Sequence, residues 1–169
     1  MAGTPRLHES GRLHVVDCPH DYAEYCGPVA VSIVSGCTVS AAEQAIRDYS
    51  GWRRTMAVRA TAGSQIAAAL GIMGYAYVPT MSYDWLKIDG RKRPTVTQVA
   101  ADLRCDHGLW IIGAGGHWIV YDSEAELFAC ALNRQPIPIA GSDMARKRVF
   151  SAAWVTQMPF QTALPESTE

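Results

Sequence analysis

The first long apolar run begins at residue 28, where PVAVSIV leads into Ser35 and Gly36. Apolar residues on nearly every side of this run predict a buried helix. Pro28 suits its first turn, where a missing N–H has no partner to lose, and Gly36 is its stop. SAAEQAIRDYSG (40–51) sets Ser40 and Glu43 three apart, the reciprocal capping spacing, and ends at Gly51, which predicts a second helix. SQIAAALGIMG (64–74) starts from a Ser cap at Ser64, spaces Ile66, Leu70 and Met73 at helical intervals and again stops on glycine. TVTQVAADL (95–103) follows Pro94 with Thr95 and Gln98 in the capping spacing, a fourth helix.

After Gly108 the character changes. LWIIG (109–113), HWIVYD (117–122), ELFACAL (126–132) and KRVFSAAWVTQM (147–158) are rich in β-branched and aromatic residues, with Gly, Asp, Ser and Pro between them. They predict an antiparallel sheet, and YAYVP (75–79) is a further short strand candidate. Helices first and strands after, with no repeats, predict an α+β domain in which N-terminal helices pack on a C-terminal antiparallel sheet. The expected boundaries are a loose arm at 1–12, one domain at 13–160 and a loose tail at 161–169.

Composition narrows the function classes. At 169 residues the chain can bury roughly two-thirds of its unfolded surface without metal or disulfide staples. Fifteen basic against 16 acidic residues leave a net charge of -1, too little field to recruit nucleic acid or an anionic membrane. RKR (91–93) and ARKR (145–148) read as solvated charge beside turns. No segment approaches the roughly 18 apolar residues of a membrane span, and the N-terminal stretch lacks the apolar run of a signal peptide. Cysteines 18, 26, 37, 105 and 130 are odd in number with no repeated spacing, which argues for free thiols in a reducing compartment. CPH (18–20) supplies ligand types without metal-ligand spacing, so no metal is expected. The expectation is a cytoplasmic chain with no cofactor, no nucleic-acid partner and no membrane.

Chemistry concentrates at Cys26. A thiol at a helix start has its thiolate favoured by unpaired N–H groups and the helix dipole, and the Cys26 N–H could serve an oxyanion. Taken alone, Cys26 also reads as a small core residue. A nucleophile needs a base, and His117 opens a strand directly after the glycine-rich turn in GAGGHWIVYD. Taken alone, it also reads as a surface histidine. Asp122, five residues along the strand, lies about 16 Å away and on the opposite face. A hairpin centred near residue 125 instead brings Asn133 opposite His117, where its amide oxygen could hold the imidazole. Capping of the turn into RQPIPIA is the other reading of Asn133.

CGPVAV ahead of an apolar helix, GGHWIVYD on a strand and Asn133 beyond it, in that order, resemble the papain-like cysteine peptidase superfamily, especially compact bacterial and phage members related to bacteriocin-processing peptidases. The resemblance covers roughly residues 18–135. It implies a papain-like fold and thiol-dependent hydrolysis or transfer at an amide (peptide or isopeptide) or thioester carbonyl, with Cys26, His117 and Asn133 as the catalytic set. Such peptidases usually carry a glutamine about six residues before the cysteine, and that position here is His20, whose imidazole would donate to the oxyanion. Gly27, Gly115, Gly116 and Trp118 are the expected substrate-facing positions. A peptide or protein is the implied substrate. The competing implication is a non-enzymatic phage structural protein that keeps this fold and joins other virion proteins, in a host cytoplasm or virion.

Overall fold

The structure, a computed structural model, describes residues 4–17, 25–53, 58–83 and 92–159. Its elements run β1 (Arg6–Leu7), β2 (His14–Val15), α1 (Cys26–Ser35), α2 (Val39–Ser50), α3 (Gly63–Ile72), β3 (Tyr75–Ser82), α4 (Val96–Leu103), β4 (Leu109–Ala114), β5 (His117–Asp122), β6 (Leu127–Cys130), β7 (Asn133–Pro138) and β8 (Val149–Gln157). The described residues thus form a mixed α+β fold of four helices and a six-stranded antiparallel sheet, in the order β3-β8-β4-β5-β6-β7. Within the segment expected to be a loose arm, Arg6–Leu7 pairs with His14–Val15 of the following domain segment.

Both faces of the sheet are covered. Ile111, Trp118, Val120, Ala129 and Val155 pack with α1, α2 and α3 in one core, while Trp110, Ile112, Ile119, Tyr121 and Phe128 pack with α4 in a second. Strand alternation divides the residues in this way, since neighbours along a strand point to opposite faces. Helix α1 is buried at nine of its ten residues, as its uninterrupted apolar run requires. Its Val29, Val31, Ile33 and Val34 each contribute about 1.5–3 kcal/mol by leaving water. Gly36 ends the helix in the left-handed conformation, φ 71°, with its N–H on the Ser32 carbonyl.

The predicted caps hold for α4 and shift for α2 and α3, the last starting at Gly63 behind Ala62, whose N–H donates to the Gln65 side chain, with Ser64 already inside the helix. Thr95 accepts the Gln98 N–H, and the Gln98 side chain returns to the Thr95 N–H at 2.9 Å. In α2 the cap is Thr38, whose hydroxyl accepts the Ala41 N–H, rather than Ser40. Strand β3 extends three residues beyond its candidate stretch. Strand β7 was not expected at all, because RQPIPIA carries two prolines. Its place at the edge of the sheet explains the tolerance, since an edge strand has N–H positions that need no ladder partner.

Candidate functional site

Cys26 is the first residue of α1, behind Tyr25, which provides no side-chain cap. Strand β6 stops at Cys130, opposite Ile119, so the flank of β5 at Trp118 is left without a strand. The start of α1 comes to that flank, and the backbone N–H groups of Trp118, Gly27 and Cys26 itself lie near enough to the Cys26 sulfur to favour its thiolate. These donors lower the thiol's pKa, but burial outweighs them and holds it above its ordinary value. The side chain is only 6% exposed, so in the free protein Cys26 is a neutral thiol at pH 7.

The neighbouring base is positioned by a tight turn. Gly115 (φ 57°) and Gly116 (φ 83°) both occupy the left-handed region that a two-residue hairpin of the inverse type I form demands. That turn pairs Ala114 with His117 and makes the histidine the first residue of β5. His117 is half-buried, and its Nδ1 is fully enclosed without a hydrogen-bond partner. Strand phase places it with Ile119 and Tyr121, on the α4 side, whereas α1 packs on the other face. No hydrogen bond joins Cys26 and His117. The sulfur lies by the N–H of Trp118 and the imidazole is one position before it in the chain, but strand phase turns the two side chains to opposite faces of β5.

Asn133 is not the imidazole's partner. The register Ile119↔Cys130 and Val120↔Ala129, continued two residues, sets His117 level with Leu132, and the chain has by then turned back. Asn133 is therefore the first residue of β7, paired with Cys130. Its Oδ1 accepts the Cys130 N–H at 3.1 Å and the Cys130 thiol at 2.7 Å, and its Nδ2 donates to Phe128 O and Gln135 O. The expectation failed because the β5–β6 hairpin is shifted by one residue and β6 is shorter than the apolar run suggests. Asp122, at the far end of β5, accepts the N–H groups of Glu124 and Ala125 and closes the β5–β6 turn. His20 lies outside the described residues.

The glycines divide in role. A side-chain carbon on Gly27 would collide with Thr61, so this glycine lets the 60–63 segment close over α1 rather than opening the helix to a substrate. Gly115 is covered by the Lys147 side chain, while Gly116 faces open space and borders a cleft. That cleft, about 720 Å³, lies between the start of α3, the edge strand β3 and β8. Trp118, Phe150, Tyr77 and Met81 give it apolar walls, and among the described residues no charged side chain lines it. Trp118 is locked in place by its indole N–H, which donates to Thr61 O at 2.7 Å, and by an edge-on contact with Phe150 at 5.3 Å between ring centres. Through Gly116 and Trp118, the cleft borders His117 on either side in the chain.

Thr61 was not singled out by sequence reasoning. It is 5% exposed, it lines the cleft, and its hydroxyl has no hydrogen-bond partner. RATAG (59–63) has neither periodicity nor a motif to flag it. Among the described residues, no group of three or more His, Cys, Asp or Glu side chains gathers closely enough to hold a metal ion, and no single helix is long and apolar enough to cross a membrane. The chain matches no protein-family model, no curated protein and no solved structure.

Proposed function

We propose that this chain is a papain-like, thiol-dependent hydrolase or transferase that acts on an amide or thioester carbonyl through Cys26 and His117. The observation that carries this reading is the Cys26 sulfur at a helix start, resting on the N–H of the residue that follows a histidine whose Nδ1 is buried and unpaired. A buried polar nitrogen with no partner is costly, and such groups persist where chemistry uses them. The lone pair on Nδ1 is the base, and removal of the thiol proton by it makes the thiolate that attacks the carbonyl. The N–H groups of Cys26 and Gly27 at the start of α1 then face the developing oxyanion. With the Asn133 amide spent on its own turn, the site works as a pair without a third member to orient the imidazole.

The competing reading is a non-enzymatic structural protein, and the missing Cys26–His117 hydrogen bond favours it. Acylation decides between them. Incubation with an aryl thioester of an acetylated peptide should leave an acyl group on Cys26, visible as an added mass on the intact chain. The adduct should be lost in Cys26→Ser and slowed about 10²-fold or more in His117→Ala. Equal acylation of wild type and His117→Ala, or a label spread over the other thiols, would leave the structural reading in possession.

A further inference from the structure

Two buried side-chain atoms without hydrogen-bond partners, among the described residues, are His117 Nδ1 at the start of β5 and Thr61 Oγ1 beside Gly27 at the start of α1. The Proposed function accounts for the first. The second has no role in the fold. The Thr61 side chain rests against Gly27, its carbonyl already serves the Trp118 indole, and its hydroxyl is enclosed with nothing to bond. An isolated buried hydroxyl costs free energy that a methyl group in its place would not, so its presence in a wall of this cleft needs a reason.

We infer that Thr61 is a substrate-binding residue: its hydroxyl hydrogen-bonds the backbone of a peptide whose uncharged, apolar side chain fills the cleft lined by Trp118, Phe150, Tyr77 and Met81. This inference rests on the proposed chemistry at Cys26 and names the ligand that reaches it. Three features select that ligand. Among the described residues the lining holds no charged side chain, so an ionised group meeting those walls would lose its hydration without a partner there. The aromatic walls offer edge and face contacts to a branched or aromatic side chain. A peptide backbone brings its own amide donors and acceptors, and a threonine side chain turns about a single bond between staggered positions, so a bound amide can draw the hydroxyl away from Gly27 into the cleft.

The test uses N-acetyl-leucyl-glycinal. Its aldehyde carbon bonds to the Cys26 sulfur, the thiol proton ending on the former carbonyl oxygen, while its leucine reaches the cleft. Affinity is read from the fluorescence of Trp118 and its neighbours, and the adduct is confirmed by mass. Thr61→Val, which keeps the shape and removes the hydroxyl, should weaken binding about five- to tenfold, and Thr61→Ser should hold it within about twofold. The aspartyl analogue of the probe should bind more than about tenfold more weakly than the leucyl one. The melting temperature of Thr61→Val should equal or exceed that of wild type, because no native hydrogen bond is lost. Unchanged affinity in Thr61→Val would overturn the role of Thr61 alone. A fall in melting temperature alongside the loss of affinity would make the hydroxyl structural and overturn it too. A wild-type chain that forms no adduct at Cys26 overturns the chemistry proposed for that thiol, and this inference with it.

Discussion

The Asn133 carboxamide makes four hydrogen bonds, two accepted from Cys130 and two donated to the Phe128 and Gln135 carbonyls, and all four lie within the β6–β7 turn. Each is worth about 0.5–1.5 kcal/mol net, and truncation also strands the backbone groups it serves. Asn133→Ala should therefore destabilise the fold by about 1–3 kcal/mol in a urea titration while leaving the acylation rate of Cys26 per folded molecule close to wild type. The opposite pattern, normal stability with acylation abolished, would restore Asn133 as the group that orients His117. Asn and a turn were both legible in this stretch of sequence. The choice between catalysis and capping was not, because it hangs on a one-residue shift in hairpin register, and one residue exchanges the faces of a strand.

At the scale of elements, α1 and the β4–β5 hairpin position the site, and both could be read from sequence. An apolar run with proline early and glycine late admits little but a buried helix, and Gly115-Gly116 between two β-rich runs specifies the tight turn that delivers His117. Strand β7 was hidden by its prolines, and the cap of α2 by two hydroxyl residues, Thr38 and Ser40, standing two apart ahead of the same helix. The packing of α1 against the 60–63 segment was hidden as well, since nothing local marks a contact made across 34 residues between Gly27 and Thr61. That contact gives Gly27 a testable consequence. Alanine in a helix gains up to about 1 kcal/mol over glycine, but overpacking a closed contact costs about 1–3 kcal/mol. The second effect should win because the colliding atoms include Thr61 Cβ, which cannot swing aside without moving backbone. Gly27→Ala should lower the melting temperature, and a gain in stability would show that the 60–63 segment yields easily.

At the scale of the molecule, every thiol and phenol among the described residues whose pKa is resolved as shifted lies above its ordinary value, and burial is the leading cause each time: Cys26, Cys37, Cys130, Tyr77, Tyr83 and Tyr121. For each group the folded state favours the protonated form more strongly than the unfolded state does. The resulting stability is complete below the unfolded values, about 8.5 for thiols and about 10 for phenols, and is lost as pH climbs from there through the folded values. Urea midpoints should be level from pH 7 to about pH 8.5 and fall progressively by pH 10, with the thiols contributing first. Equal midpoints at pH 7 and pH 10 would mean that these groups titrate alike in both states. The same burial bears on the chemistry. The backbone N–H groups near Cys26 do not offset its burial, so the reaction proposed above would need a base to take the thiol proton. In the function proposed above that base is His117, whose Nδ1 is enclosed and unpaired but whose side chain strand phase turns to the face away from α1, so this chemistry requires the two groups to come together when a peptide binds.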